Sequence, residues 1–143
     1  MTQVDFYILG KQSSQGDRFR LTCRLVDKAF KAGHRVCINT ESGQDARHIN
    51  DLLWTFNEKN FIPHDIEGEP NSHLSPVKIF TNINDTEEHD ILINLAQQVP
   101  QCFSQFNRLL EPVDQQNQNL ENGRHRYRYY RDCGYEINNH DIN

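Results

Sequence analysis

The chain predicts an α/β domain of three layers, a largely parallel central sheet flanked by helices, on three observations. Short runs rich in β-branched and aromatic residues recur at 4–9, 35–39, 77–80 and 91–95, the composition of buried strands. The first two runs are separated by a segment whose apolar residues keep helical spacing, the pattern of a strand-helix-strand crossover that leaves both strands parallel. No linker is long enough to divide the 143 residues, so a single domain is expected over 1–137, followed by a polar, disordered tail at 138–143.

The first strand, residues 4–9, closes at Gly10. A polar loop, 10–16, leads to a helix whose inner face is Phe19, Cys23, Val26 and Phe30, at spacings of four, three and four. Asp17 suits the positive end of that helix, and Gly33 the left-handed position at its close. The second strand, 35–39, follows at once. Ser42 and Asp45 fit the start of a second helix, Ser42 accepting a backbone N–H and Asp45 lying near the positive end of the dipole. Ala46, Ile49, Leu53 and Phe56 make its inner face, and Trp54 falls off that register. Pro63 bars a regular helix from the apolar stretch Phe61, Ile62, Pro63, His64, and 67–72 reads as loop.

A third strand at 77–80 precedes an acidic loop, 84–90, assigned to solvent, and 91–95 is a fourth strand of buried type. Phe103 and Phe106 support a short helical turn, and 109–113 resembles a fifth strand. The run 114–123 is rich in Asn and Gln, so propensity alone gives its helix little support, and Leu120 is its obvious anchor. The helix beyond it ends at Gly134, and 135–137 add a short last strand.

A net charge of −5 and a pI near 5.8 make the overall field repel nucleic acid and anionic membranes, so an anionic partner must be met locally. Cys23, Cys37, Cys102 and Cys133 form no CxxC pair and no finger spacing, which fits separate buried thiols in a reducing compartment. The start has neither a basic n-region nor an apolar h-region, and no run approaches membrane-spanning length, so a cytoplasmic protein is expected. The loop 10–16 has two glycines but neither the GxGxxG fingerprint nor a GK[ST] ending. With no GxSxG elbow, no HExxH helix and histidines scattered singly, no catalytic residue, metal site or cofactor is assigned.

The informative stretch is 124–135, which holds four arginines, four tyrosines and a single acid. On a helix Leu120, Arg124, Tyr127, Arg128 and Arg131 fall at i, i+4, i+7, i+8 and i+11, one stripe of apolar surface and guanidinium groups. Such a stripe suits an acidic, apolar peptide, because Arg holds a carboxylate through two N–H groups and Tyr offers a rigid ring with a polar tip. Trp54 with Phe61, Ile62 and Pro63 makes a second candidate, an exposed apolar patch of the kind that marks a protein interface. Plainer readings stand beside both: arginines lying over their own core, and Trp54 and Phe61 finishing the core. Arginines among aromatics also serve single-strand binders, though no RNP motif, zinc finger or basic arm accompanies these.

Several stretches together resemble a known family. They are Asp5-Phe6-Tyr7-Ile8-Leu9, Ala32-Gly33-His34-Arg35-Val36, Leu53-Trp54, Phe61-Ile62-Pro63-His64, Asp90-Ile91-Leu92-Ile93-Asn94-Leu95, and Arg124-His125-Arg126-Tyr127-Arg128 running into Gly134-Tyr135. In order and spacing they are similar to the chi subunit of the bacterial DNA polymerase III holoenzyme over nearly the whole chain. The resemblance implies a Rossmann-like fold and a non-catalytic accessory subunit of the clamp-loader assembly, without a cofactor. It implies a heterodimer with the psi subunit and binding of the acidic, Phe-ending C-terminal tail of single-stranded-DNA-binding protein, so that DNA is met only indirectly. Arg124, Tyr127 and Arg128 match the tail-binding positions, with Val113, Gly134 and Tyr135 lining the apolar part, and Trp54, Phe61, Ile62 and Pro63 match a psi-facing patch. One departure is Leu120, where some relatives carry a basic residue that helps hold the tail. The competing classes are a direct single-strand binder using the arginine-tyrosine helix and a small-molecule enzyme on the same sheet.

Overall fold

The computed structural model describes residues 1–11, 17–57, 61–70 and 72–143. In chain order the elements are β1 (Gln3–Leu9), α1 (Arg18–Lys31), β2 (Val36–Thr40), α2 (Gly43–Phe56), β3 (His64–Ile66), β4 (Val77–Thr81), β5 (Ile91–Asn94), β6 (Arg108–Val113), α3 (Asn117–Asp132) and β7 (Ile137–Ile142). Among the described residues the seven strands form one sheet in the order β3-β4-β2-β5-β6-β1-β7. Every pairing is parallel.

Helices cover both faces, which is why β2 and β5 are buried at every position rather than alternately. On one face Cys23 and Val26 of α1 and Ala46, Ile49 and Leu53 of α2 pack on Ile38, Ile79 and Ile93 of the sheet. On the other, Tyr130 of α3 joins Phe103 and Phe106 over Phe6, Leu92 and Leu109. The architecture is therefore a three-layer α/β sandwich.

The expected caps form. Asp17 Oδ1 accepts the N–H groups of Phe19 and Arg20, Ser42 Oγ accepts that of Asp45 at 3.1 Å, and Gly33 takes φ +89° beyond α1. The inner face of α1 is turned from the expected one: Leu21, Thr22, Cys23, Val26 and Ala29 are buried, while Phe19 and Phe30 are only partly so. Phe19 instead lies edge-on to His48 of α2, 5.0 Å between centroids, filling the seam between the helices.

Three further expectations are corrected. Residues 138–143 are not a disordered tail, since all but the last belong to β7, which pairs with β1 from Val4↔Ile137 to Leu9↔Ile142. Without β7 one whole side of β1's backbone donors and acceptors would lack partners. The acidic loop is not simply solvated: Glu88 bonds Arg35 Nη2 at 2.8 Å and Lys78 Nζ at 2.9 Å, and Asp90 accepts the Arg35 N–H and faces His34 Nδ1 at 3.1 Å. Cys133 is exposed, whereas Cys23, Cys37 and Cys102 are buried and burial pushes the Cys23 thiol up to about 12.

The ion pairs set an acid limit on stability. Hydrogen bonding by Arg35, opposed by burial and assisted by Lys78, brings Glu88 down to about 2 from an ordinary 4.5. Burial would raise Asp5, but hydrogen bonds from His140 and Arg108 outweigh it and leave Asp5 below its ordinary value. Both carboxylates are depressed in the folded state, so their stabilisation is fully present above the ordinary range and is lost as pH falls through the depressed values. Melting temperature should thus decline steeply from pH 5 toward about 2, and Glu88→Gln should flatten that decline while lowering the plateau. An unchanged slope in the variant would remove Glu88 from the account.

Candidate functional site

The helix α3 begins inside the Asn/Gln-rich run because those side chains tie down its first turn. Gln116 Oε1 accepts the Asn119 N–H at 2.8 Å, and Asp114 Oδ1 accepts from the Gln116 N–H and from Asn119 Nδ2. Gln97, in the loop after β5, donates to Asn119 Oδ1 at 3.0 Å and accepts from Asn122 at 2.8 Å, lashing the helix to the sheet. Gly134 closes the helix at φ +87°, with the Tyr135 N–H reaching back to the Tyr130 carbonyl at 3.1 Å.

Two features of the inner side of α3 were missed by the sequence reading. Gly123 is buried against β6, where an added Cβ would lie 3.3 and 3.4 Å from the two Val113 methyls, so glycine permits the close approach. Arg126 faces inward, with Nε 3.0 and 3.1 Å from the Glu111 carboxylate and Nη1 2.7 Å from the Gln97 carbonyl. Glu111 is fully buried and also accepts from Tyr130 Oη at 2.6 Å and Asn94 Nδ2 at 3.1 Å. Each polar group of this network has partners, the condition for burying them.

With Arg126 inside, the outer stripe is the expected one. Leu120, Gly123, Arg124, Tyr127, Arg128 and Arg131 of α3 and Phe6, Ile8 and Val113 of the sheet line a groove of about 300 Å³. Its floor is apolar, and the Tyr127 ring lies 5.1 Å from that of Phe6. Arg124 and Arg128 are exposed and without ion pairs among the described residues, while Arg131 bonds its neighbour Asp132 at 3.2 Å. A floor of this kind beneath unpaired guanidinium groups suits a ligand with an apolar end and a carboxylate.

Of the residues singled out for this site, Val113, Arg124, Tyr127 and Arg128 meet in the groove. Gly134 and Tyr135 lie outside its lining, where Gly134 ends the helix and Tyr135 packs its ring 5.1 Å from Phe103. Phe6 and Ile8 were missed because they look like ordinary core positions of β1; only their meeting with α3 gives them another role.

The second patch lies on the opposite face of the sheet and at its other edge. Trp54 and Phe61 are 56% and 57% exposed, with ring centroids 5.0 Å apart. They do not finish the core. Beneath them His64 is buried, 5.1 Å from the Trp54 ring, with its ring nitrogens 2.6 Å from the Ile62 carbonyl and 3.2 Å from that of Asn50. Ile62, at 3% exposure, belongs to the core, and Pro63 is half-buried, so the exposed patch narrows to two rings.

A polar cleft of about 370 Å³ opens at the carboxyl ends of β2, β4 and β5, lined by Asn39, Asn82, Asn84, Gln98 and Gln101 with Glu41. Its amides offer neither a nucleophile nor an acid-base pair. Residues 12–16 of the two-glycine loop lie outside the described residues. Among the described residues no three His, Cys, Asp or Glu side chains gather as a metal site, and no helix is long and apolar enough to cross a membrane.

Comparison with known proteins gives a concordant set. A family model described as "DNA polymerase III chi subunit, HolC" matches residues 1–138. The chain is 29% identical to the DNA polymerase III subunit chi of Pseudomonas aeruginosa, over 99% of this chain and 98% of that one. It is 26% identical to the subunit chi of Haemophilus influenzae, over 97% and 96% of the two chains. For the subunit chi of Escherichia coli the identity is 25%, over 96% and 97%.

Proposed function

This chain belongs to the DNA polymerase III chi subunit family, and we propose that it is a non-catalytic accessory subunit bridging the clamp loader to the protein that coats single-stranded DNA. In this reading the α3 groove takes the acidic, Phe-ending tail of single-stranded-DNA-binding protein, and the Trp54-Phe61 patch docks psi. The observation that carries it is the apolar groove edged by the guanidinium groups of Arg124 and Arg128, which have no ion pair among the described residues. The terminal ring enters over Phe6, Ile8 and Val113, and the arginines hold the terminal carboxylate and the acidic side chains before it. Leu120 widens the apolar surface where a further cation would otherwise stand, which makes the apolar share of the binding larger. Because groove and patch occupy opposite faces, both partners are held at once.

The test is calorimetric titration with a synthetic peptide of that tail, beside the same peptide lacking its last residue. Binding is expected for the first and should be lost for the second. Arg128→Ala is expected to weaken the intact peptide by about 1–3 kcal/mol, the range for losing a charged hydrogen-bond partner. Unchanged affinity in that variant would place the tail elsewhere.

A further inference from the structure

The α3 groove has two unlike ends. Gly123 lies on Val113, which is in register with Ile8, and Tyr127 lies on Phe6, so α3 runs against the strands. Leu120 therefore closes the groove at the carboxyl end of β1, and Arg131 stands toward the start of that strand, about 16 Å away along the helix. Arg124 and Arg128 fall between them, one and two turns beyond Leu120.

The strand at the sheet edge repeats this polarity. In β7, Ile137 pairs with Val4, Asn139 with Phe6 and Asp141 with Ile8, which puts these three side chains on the groove's side of the sheet. Asn139 Nδ2 accordingly lies 3.4 Å from Tyr127 Oη. Glu136, whose carbonyl accepts the Val4 N–H, falls on the other side by the same alternation. The wall thus passes from Ile137, at the level of Arg131, to the exposed Asp141 at the level of Ile8. Asp132 bonds Arg131 at 3.2 Å, but both side chains are more than half exposed, so that pair exchanges for another carboxylate at little cost.

We propose that the groove takes its peptide in one direction, with the terminal ring at the Leu120 end and the acidic run toward Arg131, and that Arg131 holds an acidic side chain about four to six residues before the ring. The inference rests on the tail-binding reading and adds to it a residue and a register. The register follows from length, since 16 Å of helix is matched by about five residues of extended chain. Leu120, Ile8 and Val113 seat the ring, and Arg124, one turn from Leu120, meets the terminal carboxylate beside it. The reverse placement is opposed twice. It would set the acidic run beside Asp141, where like charges repel, and the ring between the Arg128 and Arg131 guanidinium groups, away from the apolar floor.

The experiment is calorimetric titration of the full chain with two Phe-ended peptides of equal length and charge. One carries its Asp residues immediately before the ring, the other at the fourth to sixth positions before it, and Ser fills the remaining places. Both should bind. Arg131→Gln should weaken the second by about fivefold and the first by less than about twofold, with the melting temperature unchanged. High salt should close that difference. Leu120→Lys, which adds a cation at the ring end, should shift the preference toward the first peptide. Equal losses for both peptides in Arg131→Gln, or a larger loss for the first, overturn the direction while leaving the groove as the tail site. Failure of both peptides to bind the unaltered chain would sink the tail reading and this inference together.

Discussion

Glu111→Ala is expected to destabilise the fold by about 3–5 kcal/mol, the cost of stranding one member of a buried ion pair. Glu111 and Arg126 are 0% and 4% exposed, so the guanidinium that loses its carboxylate cannot turn to solvent without breaking its bond to the Gln97 carbonyl. The Tyr130 hydroxyl and Asn94 amide lose an acceptor in the same step. Burial first, and then the Glu111 charge, hold the Tyr130 phenol well above its ordinary 10.0, so it remains a donor throughout the accessible pH range. The decisive comparison is urea unfolding of the single variant beside Glu111→Leu with Arg126→Met, where both charges are removed together. The double variant should recover about half of the loss: apolar residues replace the buried pair at little cost, but the Tyr130 hydroxyl and the Gln97 carbonyl stay without their partners. A single variant within about 1 kcal/mol of the parent would mean that water enters and solvates Arg126. Since Arg126 sits on the inner side of the helix that carries Arg124 and Arg128, the same substitution should loosen the groove and lower tail affinity.

Much of this was legible in the sequence, and the boundary has a physical cause. Elements α1, α2 and the outer stripe of α3 are written in side-chain periodicity, which the chain displays openly. Trp54 off its helical register correctly foretold an outward-facing ring. What escaped was carried by the backbone or by convergence. The strand β3 and all of β7 beyond Ile137, where the expected last strand stops, lie at the sheet edges with ordinary, largely polar composition, present because β4 and β1 need hydrogen-bond partners on their outer sides. Glu111 in a strand and Arg126 in a helix each look like surface residues until the fold brings them within 3.0 Å. Their fifteen-residue separation follows no local rule, so no spacing could signal the pair.

Trp54→Ala is expected to abolish co-purification with psi, with a loss of about 2–4 kcal/mol in binding, while the melting temperature barely moves. The two halves of that expectation come from the same geometry. Trp54 and Phe61 are more than half exposed, so truncating either removes little that the isolated chain uses. Burying both rings in a partner would supply what aromatic residues contribute to interface centres. The rings are also held in place beforehand. His64 is fixed beneath Trp54 between the Ile62 and Asn50 carbonyls, and Ile62 anchors the segment before β3 that presents Phe61. A surface so ordered pays little entropy when it docks. Phe61→Ala should therefore weaken psi binding by an amount similar to Trp54→Ala, and the double variant by less than the sum, because each ring rests on the other at 5.0 Å. Tail-peptide affinity, measured on the same samples, should be unaffected, since the groove lies across the sheet. Full psi affinity in both single variants would remove the patch from the psi interface, and joint loss of psi and tail binding would instead indicate a damaged fold.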